Sequence, residues 1–174
     1  MILPTFTKQE SHCVTSNFSK NSLGVASDLE CIRWYTKASE RKWKGQSVAQ
    51  HNLAVIYENG RGTIGDIHLP DYFKAFSLYK DAAENGLIFS WVKVSEMYKK
   101  GQGVSQNYVE AYKWAYIAST KGIPTSLRDD IGKLMTPEQI EEATLMAENW
   151  LRKNGDKGSE WKTTITIDEK KGTP

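Results

Sequence analysis

Three histidines are the side chains of this 174-residue chain best suited to bind a metal ion or to transfer protons. His12, His51 and His68 are scattered along the sequence. A second ligand one helical turn away, at i+3 or i+4, would favour a metal site, and none accompanies His51. We interpret His51 as a solvated helix residue and predict no metal site.

Two pairs of adjacent carboxylates, Asp129-Asp130 and Glu141-Glu142, are candidates for general acid–base catalysis. Adjacent residues on a helix do not face each other, so we interpret both pairs as solvated helix surface. The sequence also lacks a serine-hydrolase elbow, a phosphate-binding glycine-rich loop and a His-Glu-x-x-His zinc motif. We therefore predict that the chain is not an enzyme and that it needs no cofactor.

Cys13 and Cys31 are the two cysteines of the chain, and their separation of 18 residues matches no zinc-site spacing. One alternative is a pair of free thiols in a reducing compartment. The other is a disulfide that ties an N-terminal arm to the first helix. The sequence leaves both alternatives open.

Charge is nearly balanced, with 23 lysines and arginines against 21 aspartates and glutamates. This balance argues against a nucleic-acid binder, which usually carries a marked basic patch. No apolar run approaches the roughly 18 residues that a membrane helix needs, and the segment MILPTFTKQE lacks the features of a signal peptide. We expect a cytoplasmic protein, or a bacterial periplasmic one if a signal peptide has been removed.

The elements that carry these residues are repeated along the chain. AQHNLAVIYENGRGT, residues 49–63, aligns with SWVKVSEMYKKGQGV, residues 90–104, at an offset of 41. KAFSLYKDAAENG, residues 74–86, aligns with EAYKWAYIASTKG, residues 110–122, at an offset of 36, so one unit has five extra residues in its internal loop. CIRWYTKAS, residues 31–39, is a third, incomplete copy. The chain thus holds two and a half copies of a unit of about 36 residues.

Each unit predicts a helical hairpin. In the first helix, small or apolar residues at 49, 53, 56 and 57 follow the spacing of an amphipathic helix. The first glycine of the following Gly-x-Gly can end that helix in the left-handed conformation, and the second lets the chain reverse into the next helix. Because one hairpin cannot bury its own apolar face, stacked copies must share a continuous core.

These residues resemble the Sel-one-like repeats (SLR), which are relatives of the tetratricopeptide repeat. In one unit the pattern is carried by Ala49, Leu53, Tyr57, Gly60, Gly62, Ala75, Tyr79, Ala82, Ala83 and Gly86. In the next it is carried by Tyr98, Gly101, Gly103, Val104, Ala111, Trp114, Ala118 and Gly122. The resemblance covers roughly residues 29–122. It implies an all-α fold, a right-handed superhelix of stacked antiparallel helical hairpins (an α/α solenoid).

A further helix follows the repeats in KLMTPEQIEEATLMAENWLRKNG. Thr136 is a good N-cap, Pro137 suits the first helical position, and Gln139 occupies the capping-box position. The segment resembles the Leu-Thr-Pro-Glu-Gln helix that often ends bacterial SLR proteins. We expect it to cover the last repeat as a C-terminal capping helix.

The repeats and their flanking segments give a predicted domain organisation. We expect an extended arm over residues 1–27, a repeat domain over 28–152 and a C-terminal tail over 153–174. Within the domain the repeats run over about 28–45, 47–86 and 88–122, and capping helices over 125–152.

The resemblance implies that the chain binds another protein, and the helical wheel predicts where. The first helices present six candidate partner-binding residues, which are His51, Val55, Glu58, Val92, Glu96 and Lys99. Trp91 is another candidate because exposed aromatic residues often anchor interfaces; the alternative is that it packs against the next helix. The insertion loop, residues 63–70, adds Asp66 and His68.

Three hypotheses follow for the function of such a module. The first is an immunity protein that binds and neutralises a toxin or effector. The alternatives are an adaptor or scaffold in envelope or secretion regulation, and a binder of small ligands such as cell-wall fragments. We expect a monomer in the free state, with no nucleic-acid partner and no membrane insertion.

Overall fold

The computed structural model describes residues 24–40, 45–61, 69–124 and 126–155. Seven helices follow one another within these ranges, and the ranges contain no strand. They are α1 (Gly24–Ser39), α2 (Gln46–Glu58), α3 (Tyr72–Glu84), α4 (Ile88–Lys100), α5 (Tyr108–Ser119), α6 (Ser126–Gly132) and α7 (Pro137–Asn154). Each of α1 to α4 packs against the next helix in the chain, and α5 packs against α6 and α7. The prediction of an all-α helical-repeat solenoid is confirmed.

The two complete hairpins are closed by the same backbone geometry. Gly60 and Gly101 follow the first helices with φ angles of 68°. In the first hairpin the amide of Asp71 donates to the carbonyl of Tyr57 at 2.9 Å, and in the second the amide of Asn107 donates to that of Tyr98 at 3.0 Å. The equivalent residues therefore fix the entry into α3 and α5.

The second helices begin with equivalent side-chain caps. Asp71 accepts a hydrogen bond from the amide of Lys74, and Asn107 accepts one from the amide of Glu110, both at 3.0 Å. Each carboxylate or amide oxygen satisfies an amide that the first turn of a helix leaves without a partner.

Gly103 does more than reverse the chain between α4 and α5. Its φ angle is 69°, and a Cβ atom placed on it would lie 2.0 Å from the carbonyl oxygen of Tyr72 in the preceding repeat. The second glycine of this Gly-x-Gly turn is therefore a point of backbone contact between successive repeats.

Helix α7 completes the core at the C-terminal end of the array. Thr136 and Gln139 form the predicted capping box, and Pro137 stands in the first turn. The ring of Trp150 packs edge-on against those of Trp91 and Trp114, with centroids 5.6 Å apart in both pairs. Three aromatic rings from α4, α5 and α7 thus join the last repeat to its capping helix.

Cys31 is buried in α1 and takes part in a disulfide bond. The free-thiol alternative is therefore wrong for this residue. The other cysteine, Cys13, lies outside the described residues, as do most of the predicted N-terminal arm and nearly all of the predicted C-terminal tail.

Candidate protein-binding site

The first helices of the two complete repeats share one surface, which we call the first-helix face. It consists of the side chains of α2 and α4 that are exposed or only partly buried around the contact between these helices. They are Val48, His51, Val55 and Glu58 on α2, and Phe89, Val92, Lys93, Glu96 and Lys99 on α4.

Glu58 is the centre of a polar network on this face. The hydroxyl of Tyr79 donates to Glu58 Oε2 at 2.7 Å, and Lys93 Nζ donates to Oε1 and Oε2 at 3.1 and 3.0 Å. Burial, with the hydrogen bond to Glu58 and its charge, raises the pKa of Tyr79, so the phenol remains a donor. The network links α2 to α3 of its own hairpin and to α4 of the next one.

His51 adds a second link between successive repeats. Its Nδ1 lies 2.8 Å from Ser90 Oγ on α4, and its ring packs edge-on against Tyr79 with centroids 5.1 Å apart. Burial and then the charge of Lys93 lower the pKa of His51 to about 4, although Glu58 acts in the opposite direction. The interpretation of His51 as a solvated residue is therefore wrong, because the next repeat covers it.

The pairing of a serine with a histidine resembles part of a hydrolase site, but its geometry does not suit catalysis. Ser90 is completely buried, so its hydroxyl cannot reach a substrate, as a nucleophile must. Within the described residues, no group of three or more histidine, cysteine, aspartate or glutamate side chains could hold a metal ion. The hydrogen bond between His51 and Ser90 holds α2 against α4.

Two exposed apolar side chains stand at equivalent positions of the first-helix face. Val48 on α2 and Phe89 on α4 are separated by the repeat offset of 41, and they are 45% and 56% exposed. Val55 and Val92 lie partly buried against the core on the same two helices. We did not predict Val48 and Phe89 from the sequence, although extending the offset by one residue would have paired them.

The remaining predicted site residues have different fates. Glu96 and Lys99 are partly exposed on α4. Trp91 is completely buried, and its Nε1 donates to the carbonyl of Ala83 at 2.7 Å. Its candidacy as an exposed anchor is wrong, because α3 and α7 enclose the ring. Asp66 and His68 lie outside the described residues.

We expect acidification to destabilise the fold through His51. Its pKa of about 4 in the folded chain lies below the ordinary 6.5, so below pH 6.5 the unfolded chain binds the proton that the folded chain rejects. The stability present above that pH is lost as the pH falls towards the folded pKa, by about 2 kcal/mol between about pH 7 and about pH 5. Urea unfolding followed by circular dichroism across this range would measure the loss.

The matched control is His51→Gln, which keeps a polar side chain but does not titrate. Glu58, Lys93 and the hydroxyls of Tyr79 and Ser90 surround the imidazole in both proteins. The variant should lose less stability over the same pH range. Equal slopes for the two proteins would contradict the assignment to His51.

The helical hairpins and the first-helix face define a helical-repeat protein. The chain belongs to the Sel1 repeat family, because the Sel1 repeat model matches residues 23–42, 47–87 and 92–123, which together are more than half of the sequence. Sel1 repeats generally mediate protein–protein interaction, and the family consists of non-catalytic interaction scaffolds.

Among solved structures, the chain is similar to c5321, a protective antigen of uropathogenic Escherichia coli strains that displays an SLR fold. The two share 25% sequence identity with a TM-score of 0.69, and the match covers 95% of this chain and 33% of c5321. This chain therefore spans about a third of the length of that protein. No curated protein matches the chain. In the part of the chain that the structure describes, no helix has the length and apolar character to cross a membrane.

Proposed function

We propose that this protein is a non-enzymatic module that recognises another protein through the first-helix face. The observation that carries the proposal is the pair Val48 and Phe89, two exposed apolar side chains at equivalent positions of successive repeats. Exposed aromatic residues are common anchors of protein interfaces. The Sel1 repeats of this chain belong to a family that works by protein interaction.

The polar network supports the same face. Glu58 and Lys93 are already paired and tied to Tyr79, so a partner would meet side chains that have lost much of their freedom before binding. Pre-ordered groups reduce the entropic cost of association. Glu96 and Lys99 supply charges of both signs further along α4. We infer a partner with an apolar side chain for Phe89 and polar groups for the charged end of the face.

We expect Phe89→Asp to weaken partner binding at least about tenfold, because it replaces an apolar anchor with a charge. The experiment is affinity capture from a lysate of the source organism, followed by calorimetry with the purified partner. Leu145→Asp is the matched control, since Leu145 on α7 is 59% exposed against 56% for Phe89. Circular dichroism would verify that both variants are folded. A partner that binds both variants equally would move the interface away from the first-helix face.

Within this class, the partner determines the finer role. We propose neutralisation of a toxin as the first hypothesis and an adaptor or scaffold role as the second. The second gains support from the likeness to part of c5321, which is a larger SLR protein and a protective antigen. Stoichiometric inhibition of a captured toxin by the purified chain would support the first, whereas a partner that keeps its activity in the complex would favour the second.

A further inference from the structure

A groove opens between α3 and the turn that leads into α5, on residues that do not belong to the first-helix face. Its volume is about 410 Å³. It is lined by Phe73, Phe76, Ser77, Lys80 and Asp81 of α3 and by Gly103, Val104 and Ser105 of the turn. We call it the Phe73 groove.

The aromatic residues of the Phe73 groove differ in their freedom. Phe76 is held by an edge-on contact with Tyr98, with centroids 5.1 Å apart, and it packs against the core. Phe73 is 76% exposed. The groove therefore combines a fixed apolar wall with a ring whose face is open to a ligand.

Asp81 gives the groove an acceptor for positive charge. Within the described residues, no side chain forms an ion pair or hydrogen bond with its carboxylate. Burial raises the pKa of Asp81, and the charge of Lys80 acts in the opposite direction. Asp81 also lies in the last turn of α3, where the helix dipole favours a cation. A positively charged group would relieve the partial desolvation of this carboxylate.

We propose that the Phe73 groove binds an arginine side chain of a partner protein. A guanidinium group stacks on aromatic rings and donates several hydrogen bonds in one plane. Phe73 supplies the ring, Asp81 the carboxylate, and the hydroxyls of Ser77 and Ser105 two further acceptors. Lys80 is the cation that lines the groove; it weakens this site and makes the sign of its own substitution informative.

The first test is a nuclear magnetic resonance titration of the full chain with N-acetyl-arginine amide. N-acetyl-lysine amide and N-acetyl-norleucine amide are the comparison probes. We expect saturable shifts of the amides of Ser77, Lys80 and Val104 with the arginine probe, weaker shifts with the lysine probe, and none with norleucine. Equal shifts with norleucine, or no saturable shift with any probe, would overturn the proposal.

Variants of exposed or partly exposed groove residues test the charge directly. Asp81→Asn should weaken binding of the arginine probe about three- to fivefold, the range typical of an exposed ion pair, and Phe73→Ala should also weaken it. Lys80→Met should strengthen binding, which a purely apolar groove would not require. Unchanged affinity in Asp81→Asn would overturn the proposal. Phe89→Ala is the control for the first-helix face and should leave the titration unchanged, so either surface can fail without the other.

Discussion

Gly103→Ala lowers the free energy of unfolding by at least about 3 kcal/mol, the largest effect expected of any glycine substitution in the described repeats. A Cβ atom there would lie 2.0 Å from the carbonyl oxygen and 2.4 Å from the carbonyl carbon of Tyr72. These are backbone atoms of α3, so no side-chain rotation can relieve the clash. Urea unfolding followed by circular dichroism would measure the change.

Two other glycines separate the clash from the cost of the backbone conformation. Gly101 and Gly122 also have positive φ angles, 68° and 89°. An added Cβ atom at Gly101 would approach Gln106 no closer than 3.4 Å, and one at Gly122 would have no neighbour within 4 Å. Alanine at either position should cost only about 1–2 kcal/mol, the strain of the left-handed conformation. Three equal losses would show that contact with Tyr72 contributes nothing.

Trp91→Ala should lower the free energy of unfolding by about 3–5 kcal/mol, since it leaves a large cavity in the core. The indole is completely buried, packs against Trp150 and donates a hydrogen bond to the carbonyl of Ala83. Thermal and urea unfolding of the full chain would measure the loss. A second variant, Trp91→Phe, keeps a ring and removes the donor, and should cost less.

Trp34→Ala is the control for Trp91, because Trp34 on α1 is 48% exposed. Its loss should stay below about 1 kcal/mol, as for most surface substitutions. Comparable losses at the two tryptophans would contradict the packing described here. If Trp91→Ala bound the partner normally while its stability fell, Trp91 would be a structural residue and not a contact residue.

The repeat pattern predicted the fold because its signals are local. Tyr57 and Tyr98 recur at a fixed offset, each followed by a glycine that must adopt a positive φ angle. The capping box of α7 was predictable for the same reason, since Thr136 and Gln139 lie three residues apart.

The errors arose where a residue is buried by a distant part of the chain. A helical wheel of α2 places His51 opposite the core, but it does not contain Ser90, which lies 39 residues further on. A wheel of α4 cannot show that Trp150 closes over Trp91. Phe89 was missed for a different reason: its equivalent, Val48, falls one residue before the aligned segment.

The closure of the core by Trp150 has a consequence for self-association. A repeat array with a bare end can stack head-to-tail on another copy, and such contacts extend into fibres when they do not close. Here the aromatic surface of the last repeat is occupied by α7 of the same chain. The outward side of α7 carries Glu138, Glu141, Glu142 and Glu148, all of them exposed. A second copy approaching this end would meet negative charge in place of an apolar seam, so α7 opposes polymerisation at the C-terminal end of the repeats.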